Sequence, residues 1–449
     1  MSAAIVLPEL YAMRLLGAGK SSGTLAVKWN AAEELGLVDG YRDGMQGTSR
    51  TGLSAVTDRH QLRFASTTPG MGLWFRVDPE LHVLGLHAAS RDAVTKLDAF
   101  RKYVKGSSWT NPPRGSLTLA ITVANVEPYR TRLENRDDGP PLPTPFAAWA
   151  LSADHNSAEM IPIIIAPESA DTLMLLGGSW PLRALEGKRV ALVGVGSIGS
   201  AAAEALAGYG VRRLLLIDPD RLAEHNFARH RVPEKHVGRY KAVAMAEVLK
   251  DRDPKTEAEA LTLDVVYDAD RVRPVIAEAE VVLVASDGVD SRRAANHLAR
   301  RAGKPVVFAC VLDEGAYGEV MRIRPPRTGC LLCARQKLID EGGLDPEPSL
   351  DRGYGRGTRH LPMTAVGSDL GLVGQLAAKA TVSTILEELG YPDQHLPGEH
   401  AVIGLRPKTN TAAPFDIERA GEVRWHELPP PRADCPTCGT PSWQASSAA

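Results

Sequence analysis

Cysteine is scarce in this chain, five among 449 residues, and aromatic side chains make up only 5% of it. Neither sign of charge dominates, since 52 Lys and Arg stand against 54 Asp and Glu. No apolar run nears the roughly 20 residues needed to cross a bilayer, and even the stretch from Ile161 to Ile165 is interrupted by Pro162. Each shortage excludes something. The balanced charge leaves no electrostatic footprint for nucleic acid. The short apolar runs argue against a membrane span, and five cysteines are too few for a disulfide scaffold.

What is present is the composition of an ordinary soluble globular protein, 44% hydrophobic and 24% charged. At roughly 100–200 residues per domain the length suggests two or three domains. The N-terminal stretch from Met1 to Pro8 lacks the basic start and long apolar core of a secretory leader, so a cytoplasmic setting is expected. That compartment is reducing, which makes metal ligation or a free thiol the expected fate of the cysteines.

Residues 1–134 carry strand patterns at Thr24–Trp29, Leu73–Leu84 and Ser116–Val123, with a helical pattern at Asp92–Val104 between them. A small N-terminal α+β domain is expected. The stretch from Asn135 to Pro145 is dense in turn formers and charge and reads as a linker, with one strand and irregular chain following to residue 185. From Glu186 strands and helices alternate, the rhythm of βαβ units. Strands are expected at Arg189–Val193, Arg213–Ile217, Val281–Ala285, Pro305–Ala309, His400–Arg406 and Val423–Glu427. Helices are expected at Ile198–Tyr209, Lys241–Leu249, Ser291–Ala302 and Leu370–Leu389. Residues 186–440 therefore predict a doubly wound, mostly parallel Rossmann-like sheet, and residues 441–449 a disordered tail.

Gly194, Gly196 and Gly199 form G-x-G-x-x-G between a predicted strand and a predicted helix that Ser197 helps to open. The first two glycines allow a tight turn and close phosphate approach, the third allows helix and strand to pack, and the helix N-terminus favours negative charge. Asp218 ends the next strand, 19 residues after Gly199, where a carboxylate can accept ribose hydroxyls. Together these features point to an adenine nucleotide. NAD would need nothing more, whereas ATP chemistry needs cations on the phosphates and carboxylates for magnesium. Such groups follow: Asp218 and Asp220, then Asn226, Arg229 and His230, then Lys241 at a helix start, and Asp287 just past a strand. Ligands of open parallel sheets sit outside the carboxyl ends of the strands, where Asp218 and Asp287 both fall. His82 and His87 lack the spacing of a metallopeptidase site and read as ordinary strand histidines.

These separated motifs, in this order over roughly residues 180–440, resemble the ThiF/MoeB/HesA superfamily of adenylating enzymes, relatives of ubiquitin-activating enzyme. By that resemblance Gly194, Gly196 and Gly199 form the phosphate turn and Asp218 is the ribose ligand. Asn226, Arg229 and Lys241 hold the triphosphate, and Asp287 is linked to magnesium. The implied catalytic residues are Arg229, Lys241 and Asp287. The implied reaction is ATP-dependent adenylation of the C-terminus of a small ubiquitin-like or sulfur-carrier protein, in a homodimer. Short members often receive an arginine from the neighbouring subunit, but residues 160–185 offer only Arg183, so that arginine cannot be placed. The form of Asn226, Arg229 and His230, with the extra N-terminal domain, is more similar to bacterial ThiF-type proteins of conjugation and defence operons. Some of those carry conjugating-enzyme-like domains; residues 1–309 contain no cysteine, so such a domain could bind but not form a thioester. Two other functions stay in view, a peptide-tailoring ligase and, from a different class, a NAD-dependent oxidoreductase.

Cys330 and Cys333 form one C-x-x-C knuckle, and Cys435 and Cys438 a second, with 101 residues between the two. Two knuckles supply the four thiolates of a closed, structural zinc site and would tie the C-terminal region to the sheet domain. Cys310 alone remains, inside an apolar run where a buried core residue is expected. In thioester-forming relatives the reactive cysteine generally follows the first knuckle, and the corresponding segment, Ala334–Gly367, has none. Adenylation without an internal thioester is therefore expected. Arg352, Arg356, Arg359 and His360 mark that segment as a candidate loop over the acceptor tail.

Overall fold

The computed structural model describes residues 3–43, 49–50, 68–77, 94–104, 118–124, 145–167, 173, 176, 179–341 and 365–439. The chain divides into two compact units, Met1–Ala170 and Asp171–Ala449.

In the first unit the elements run β1 (Ala4–Pro8), α1 (Glu9–Leu16), β2 (Ser22–Asn30), β3 (Leu35–Asp43), β4 (Ser49–Arg50), β5 (Thr68–Val77) and β6 (Val94–Lys96). They continue with α2 (Leu97–Tyr103), β7 (Thr118–Ala124), β8 (Phe146–Ser152), β9 (Ser157–Ile161) and β10 (Ile163–Ala166). The strands form one mixed sheet in the order β10-β1-β3-β2-β5-β7-β8-β9-β6, with β4 beside β3. Tyr11, Ala12 and Leu15 of α1 close one face over Ile5, Leu25 and Ile121. Leu97 and Phe100 of α2 close the other over Phe75, Ala120 and Trp149.

The structure departs from expectation here. Within residues 146–185, read as one strand and irregular chain leading into the second domain, residues 146–166 form three strands of this sheet, with turn residues 153–156 and Pro162 dividing them into pairing lengths. The expected helix from Asp92 begins only at Leu97, since Val94–Lys96 pairs with β9. His82, His87 and residues 135–144 lie outside the described residues.

The second unit holds α3 (Leu182–Leu185), β11 (Arg189–Val193), α4 (Ser197–Tyr209), β12 (Arg213–Ile217), α5 (Lys241–Arg252), β13 (Glu257–Leu261), α6 (Ala269–Glu278) and β14 (Val281–Val284). Then come α7 (Val289–Arg301), β15 (Val306–Leu312), β16 (Tyr317–Ile323), α8 (Leu331–Asp340), α9 (Gly367–Glu388), β17 (His400–Gly404) and β18 (Val423–His426). The sheet order is β13-β12-β11-β14-β15-β16-β17-β18. Neighbours from β13 to β15 are parallel, and β16 to β18 add an antiparallel edge.

Successive residues of β11 point to opposite faces, and each face has its own core. Val190 and Leu192 pack with Ala202 and Leu206 of α4, Met245 of α5 and Val373 and Ala377 of α9. Ala191 and Val193 pack with Ile276 of α6, Ala295 of α7 and Leu331 of α8. A parallel sheet covered by helices on both faces is the doubly wound arrangement, with ligands expected beyond the C-terminal strand ends. Among the described residues, no helix is long and apolar enough to cross a membrane.

Candidate active site

Between β11 and α4 the chain turns sharply over Gly194, whose φ of +87° suits glycine. A Cβ there would lie 2.6 Å from the Ser286 nitrogen, and one on Gly199 would lie 2.0 Å from the Gly194 carbonyl oxygen. The protein's own packing thus requires both. Gly196 differs: among the described residues, its two chain neighbours aside, no atom lies within 4 Å of an added Cβ. Its side of the turn opens outward at the N-terminus of α4, where Ser197 starts the helix, half-buried, and free N–H groups favour an anion.

Asp218, at the C-terminal end of β12, braces this turn. Its Oδ2 accepts the Val195 N–H at 2.7 Å, and its Oδ1 accepts the Asp220 N–H at 2.8 Å. The carboxylate is buried. Burial pushes its pKa up to about 6, against the opposing pull of Lys241 and the two N–H groups. Asp218 can still accept from a ligand through its remaining lone pairs.

After Asp220 the chain makes an excursion that closes on itself. Leu222 exchanges backbone hydrogen bonds with Gly238 and Arg239, and Lys241 N–H donates to the Asp220 carbonyl at 2.9 Å. Arg221 stacks on the Tyr240 ring at 3.7 Å, closing the neck. This pairing delivers Lys241, the first residue of α5, to the strand ends. Its Nζ donates to Asp220 Oδ2 at 2.8 Å. Burial pulls the lysine pKa down, but Asp218, Asp220 and Asp287 outweigh that and the net change is upward, so the ammonium stays charged. Asp220 and Asp287 remain exposed.

Within the excursion, Asn226 Oδ1 accepts the Ala223 N–H, and the Asn226 carbonyl accepts N–H groups of Arg229 and His230. Asn226 therefore shapes the loop that carries Arg229. The Arg229 Nε is buried with no hydrogen-bond partner among the described residues. Gly367, opening α9, packs against Ala228 and Arg229, where a Cβ would lie 2.9 Å from the Ala228 oxygen. His230 is buried and folds back on the glycine turn, its Nε2 2.7 Å from the Val195 carbonyl oxygen.

The four knuckle cysteines meet, their Sγ atoms all within 4.8 Å of one another. Cys330 Sγ lies 3.6 Å from Cys435 Sγ and Cys333 Sγ 3.8 Å from Cys438 Sγ. Those spacings are too long for disulfides. They match the separation of about 3.8 Å between sulfurs set tetrahedrally about 2.3 Å from zinc. The Arg432 N–H donates to Cys333 Sγ at 3.5 Å, and Gly329 N–H donates to the Pro429 carbonyl at 2.7 Å, docking the segment before the second knuckle beside the first. This donor set fits a structural zinc.

Cys310 is buried in β15, opposite Glu319 of β16. Arg335 and His400 both bind the Glu319 carboxylate, Arg335 Nη1 at 2.7 Å and His400 Nε2 at 2.8 Å, and hold it well below the usual range despite its burial. Burial and that neighbouring carboxylate push the Cys310 thiol up to about 12, and its S–H donates to Glu319 Oε2 at 3.4 Å. A protonated, enclosed thiol is not a nucleophile.

The ThiF family model matches residues 172–437. The chain belongs to the ThiF family. Two relatives illustrate the range. Ubiquitin-like modifier-activating enzyme 5 of Branchiostoma floridae is 29% identical over 212 residues, 44% of this chain and 49% of the relative. The uncharacterized protein y4oA of Sinorhizobium fredii is 30% identical over 182 residues, 37% of this chain and 30% of that one. The chain thus spans about half or less of the length of these curated relatives. A crystal structure of E. coli MccB with AMPCPP and MccA shares 19% identity at a TM-score of 0.43, over 57% of this chain and 68% of that one.

Within the ThiF match the structure brings Gly194, Gly196, Ser197, Asp218, Asp220, Lys241 and Asp287 together at the C-terminal strand ends, with Asn226 and Arg229 on the adjoining excursion. It does not leave Asp218 simply facing outward, since both oxygens already brace backbone N–H groups. The expected loop from Ala334 is helical through Asp340, and Arg352, Arg356, Arg359 and His360 lie outside the described residues. Sequence reasoning missed the Glu319, Arg335 and His400 cluster, whose members are remote in the chain and carry no motif.

Proposed function

We propose that the chain binds ATP with magnesium and adenylates the C-terminal carboxylate of a small ubiquitin-like or sulfur-carrier protein or of a peptide. The observation that carries this reading is the charge cluster joined to the glycine turn through Asp218, one ammonium among three carboxylates. Phosphates on the α4 N-terminus would meet Lys241 and Arg229, whose Nε has no partner among the described residues. The exposed carboxylates of Asp287 and Asp220 fit a hard cation. Magnesium held there would neutralise phosphate charge.

The acceptor carboxylate oxygen attacks the α-phosphorus of ATP, forming the acyl–O–P bond as the bond to the β-phosphate oxygen breaks and pyrophosphate leaves. Arg229 and Lys241 stabilise the charge that gathers on the phosphoryl oxygens, and Asp218 holds the turn and can accept from the ribose. No protein nucleophile takes part. Cys310 is enclosed and protonated, and the other four cysteines are gathered at the knuckle site, so the acyl-adenylate passes to an outside nucleophile. A nicotinamide oxidoreductase would leave Arg229, Lys241 and Asp287 without a task. The relatives named ubiquitin-like modifier-activating enzymes support a protein C-terminus as acceptor, a homodimer in the cytoplasm being the accompanying expectation.

ATP–pyrophosphate exchange with acceptors ending in a free carboxylate tests the reading. Exchange is expected in the wild type and lost in Asp287→Ala. Near-normal exchange by that variant would remove Asp287 from the mechanism.

A further inference from the structure

His230 stands one residue beyond Arg229 and has no place in the reaction outlined above. Its two ring nitrogens are both engaged with backbone. Nδ1 accepts the Val232 N–H at 3.1 Å, and Nε2 lies 2.7 Å from the Val195 carbonyl oxygen. A backbone N–H can only donate and a carbonyl oxygen can only accept. The ring is therefore held as a single tautomer, Nδ1 bare and Nε2 carrying the proton.

Val195 is the middle residue of the Gly194 to Gly196 turn, and both of its polar backbone groups are gripped from outside the turn. Asp218 takes its N–H and His230 its carbonyl. Val195 itself is fully buried, so without His230 that carbonyl would have no route to water. A second tie runs in parallel, with Arg231 N–H donating to Ser200 Oγ at 3.2 Å in the first turns of α4. The segment carrying Arg229 is thus fastened to the loop that opens at Gly196, although the two are 33 residues apart in sequence, 229 less 196.

We infer that His230 is a positioning residue, which through the Val195 carbonyl locks the glycine turn and Arg229 into one frame for the nucleotide phosphates. The inference rests on the ATP reading above for the ligand, but the lock exists without it. Burial favours the neutral ring that the geometry demands, and brings its pKa down to about 4. A charged ring would turn a second N–H toward that of Val232.

Two substitutions separate the contacts. Glutamine places its amide nitrogen near the Nε2 position and can still donate to Val195. Asparagine reaches only the Nδ1 position, so it keeps the Val232 contact and loses Val195. In His230→Asn the affinity for MgATP is expected to fall about tenfold or more, the usual effect of losing one buried hydrogen bond. In His230→Gln it should stay within about threefold of wild type. Without nucleotide, amide hydrogen exchange over Gly194–Ser197 should accelerate in His230→Asn and not in His230→Gln. Equal MgATP affinities, or equal exchange in the two variants, would overturn the inference. If His230→Asn fails to fold, His230→Gln alone decides, because a tenfold loss in that folded variant would contradict the role of the Val195 contact. A wild-type chain that binds no MgATP would refute the nucleotide reading, while the exchange pattern would still decide the lock.

Discussion

Two glycines of one turn should respond in opposite ways to the same methyl group. In Gly199→Ala the new Cβ would sit 2.0 Å from the Gly194 carbonyl oxygen and 2.9 Å from its carbon, both backbone atoms that cannot swing aside. Overpacking of this kind costs about 1–3 kcal/mol, with the upper end expected when backbone must move. In a domain of this size, each kcal/mol lowers the melting temperature by roughly 2–4 °C, so a fall of roughly 2–12 °C is expected, toward the upper end. In Gly196→Ala the methyl meets no atom of the described residues within 4 Å beyond its two chain neighbours, and the backbone, at φ −79°, already suits alanine. Its stability should hold or rise by about 0.4–1 kcal/mol through the stiffer unfolded chain. Yet that open space is where a phosphate would approach the turn. A methyl there removes at least one charge-assisted hydrogen bond, worth about 1.5–3 kcal/mol, or roughly 10- to 150-fold in affinity. Calorimetric melting and MgATP titration on both variants read the two effects separately. Wild-type MgATP affinity in Gly196→Ala, or an unchanged melting temperature in Gly199→Ala, would refute the reasoning.

The remaining predictions concern metal and protons. Elemental analysis of metal-replete protein should find one zinc per chain, lost in Cys438→Ser together with several degrees of melting temperature, since a structural zinc contributes folding energy directly; substoichiometric zinc in the wild type would contradict the knuckle assignment. His230 should make stability fall in acid. Its folded pKa of about 4 lies below the ordinary 6.5, so the unfolded chain binds the proton first and stability is lost as pH falls from about 6.5 toward 4. Asp218, raised to about 6, works in the opposite sense below that pH. Relative to His230→Gln, which has no titrating ring at this position, the wild type should therefore lose up to about 3 kcal/mol between pH 7 and 4 by denaturant titration. Parallel stability profiles for the two would show that the ring is not held neutral.

How far the sequence carried the reader differs between the units for physical reasons. In the second unit, strands buried on both faces read as continuous apolar runs, and β11 and β12 are where the pattern set them. Strand β13 was missed because Glu257, Ala258 and Glu259 favour helix; pairing with β12 overrides that preference, with the glutamates exposed and the alanine inward. Strand β16 was missed because Glu319 and Arg322 break its apolar pattern, although both are buried in ion pairs with remote partners. Pro274 concealed α6. In the first unit, β1 and β3 pair in parallel although α1 and β2 lie between them in the chain, a non-local match that no short window displays.

At the site, the positions of the glycines and Asp218 were legible from strand–turn–helix spacing, and those of Lys241 and Asp287 from the order of the motifs that carry the family resemblance. The grip on Val195 was not, because a contact between a side chain and a backbone carbonyl leaves no trace in residue type at the carbonyl's position. The four cysteines were legible as paired knuckles for the opposite reason, as each ligand is a distinctive side chain. The charge cluster around Cys310 was legible only as a lone thiol, while its partners Glu319, Arg335 and His400 come together through sheet register and the packing of α8.

The central claim is adenylation without an internal thioester, and the most direct measurement is the fate of α-phosphate-labelled ATP incubated with the chain and a carboxylate-ended acceptor. The account predicts pyrophosphate release and an acceptor–AMP adduct, formed alike by the wild type and Cys310→Ser and unaffected by dithiothreitol. Labelled ADP, or a dithiothreitol-sensitive enzyme–acceptor adduct that disappears in Cys310→Ser, would contradict it.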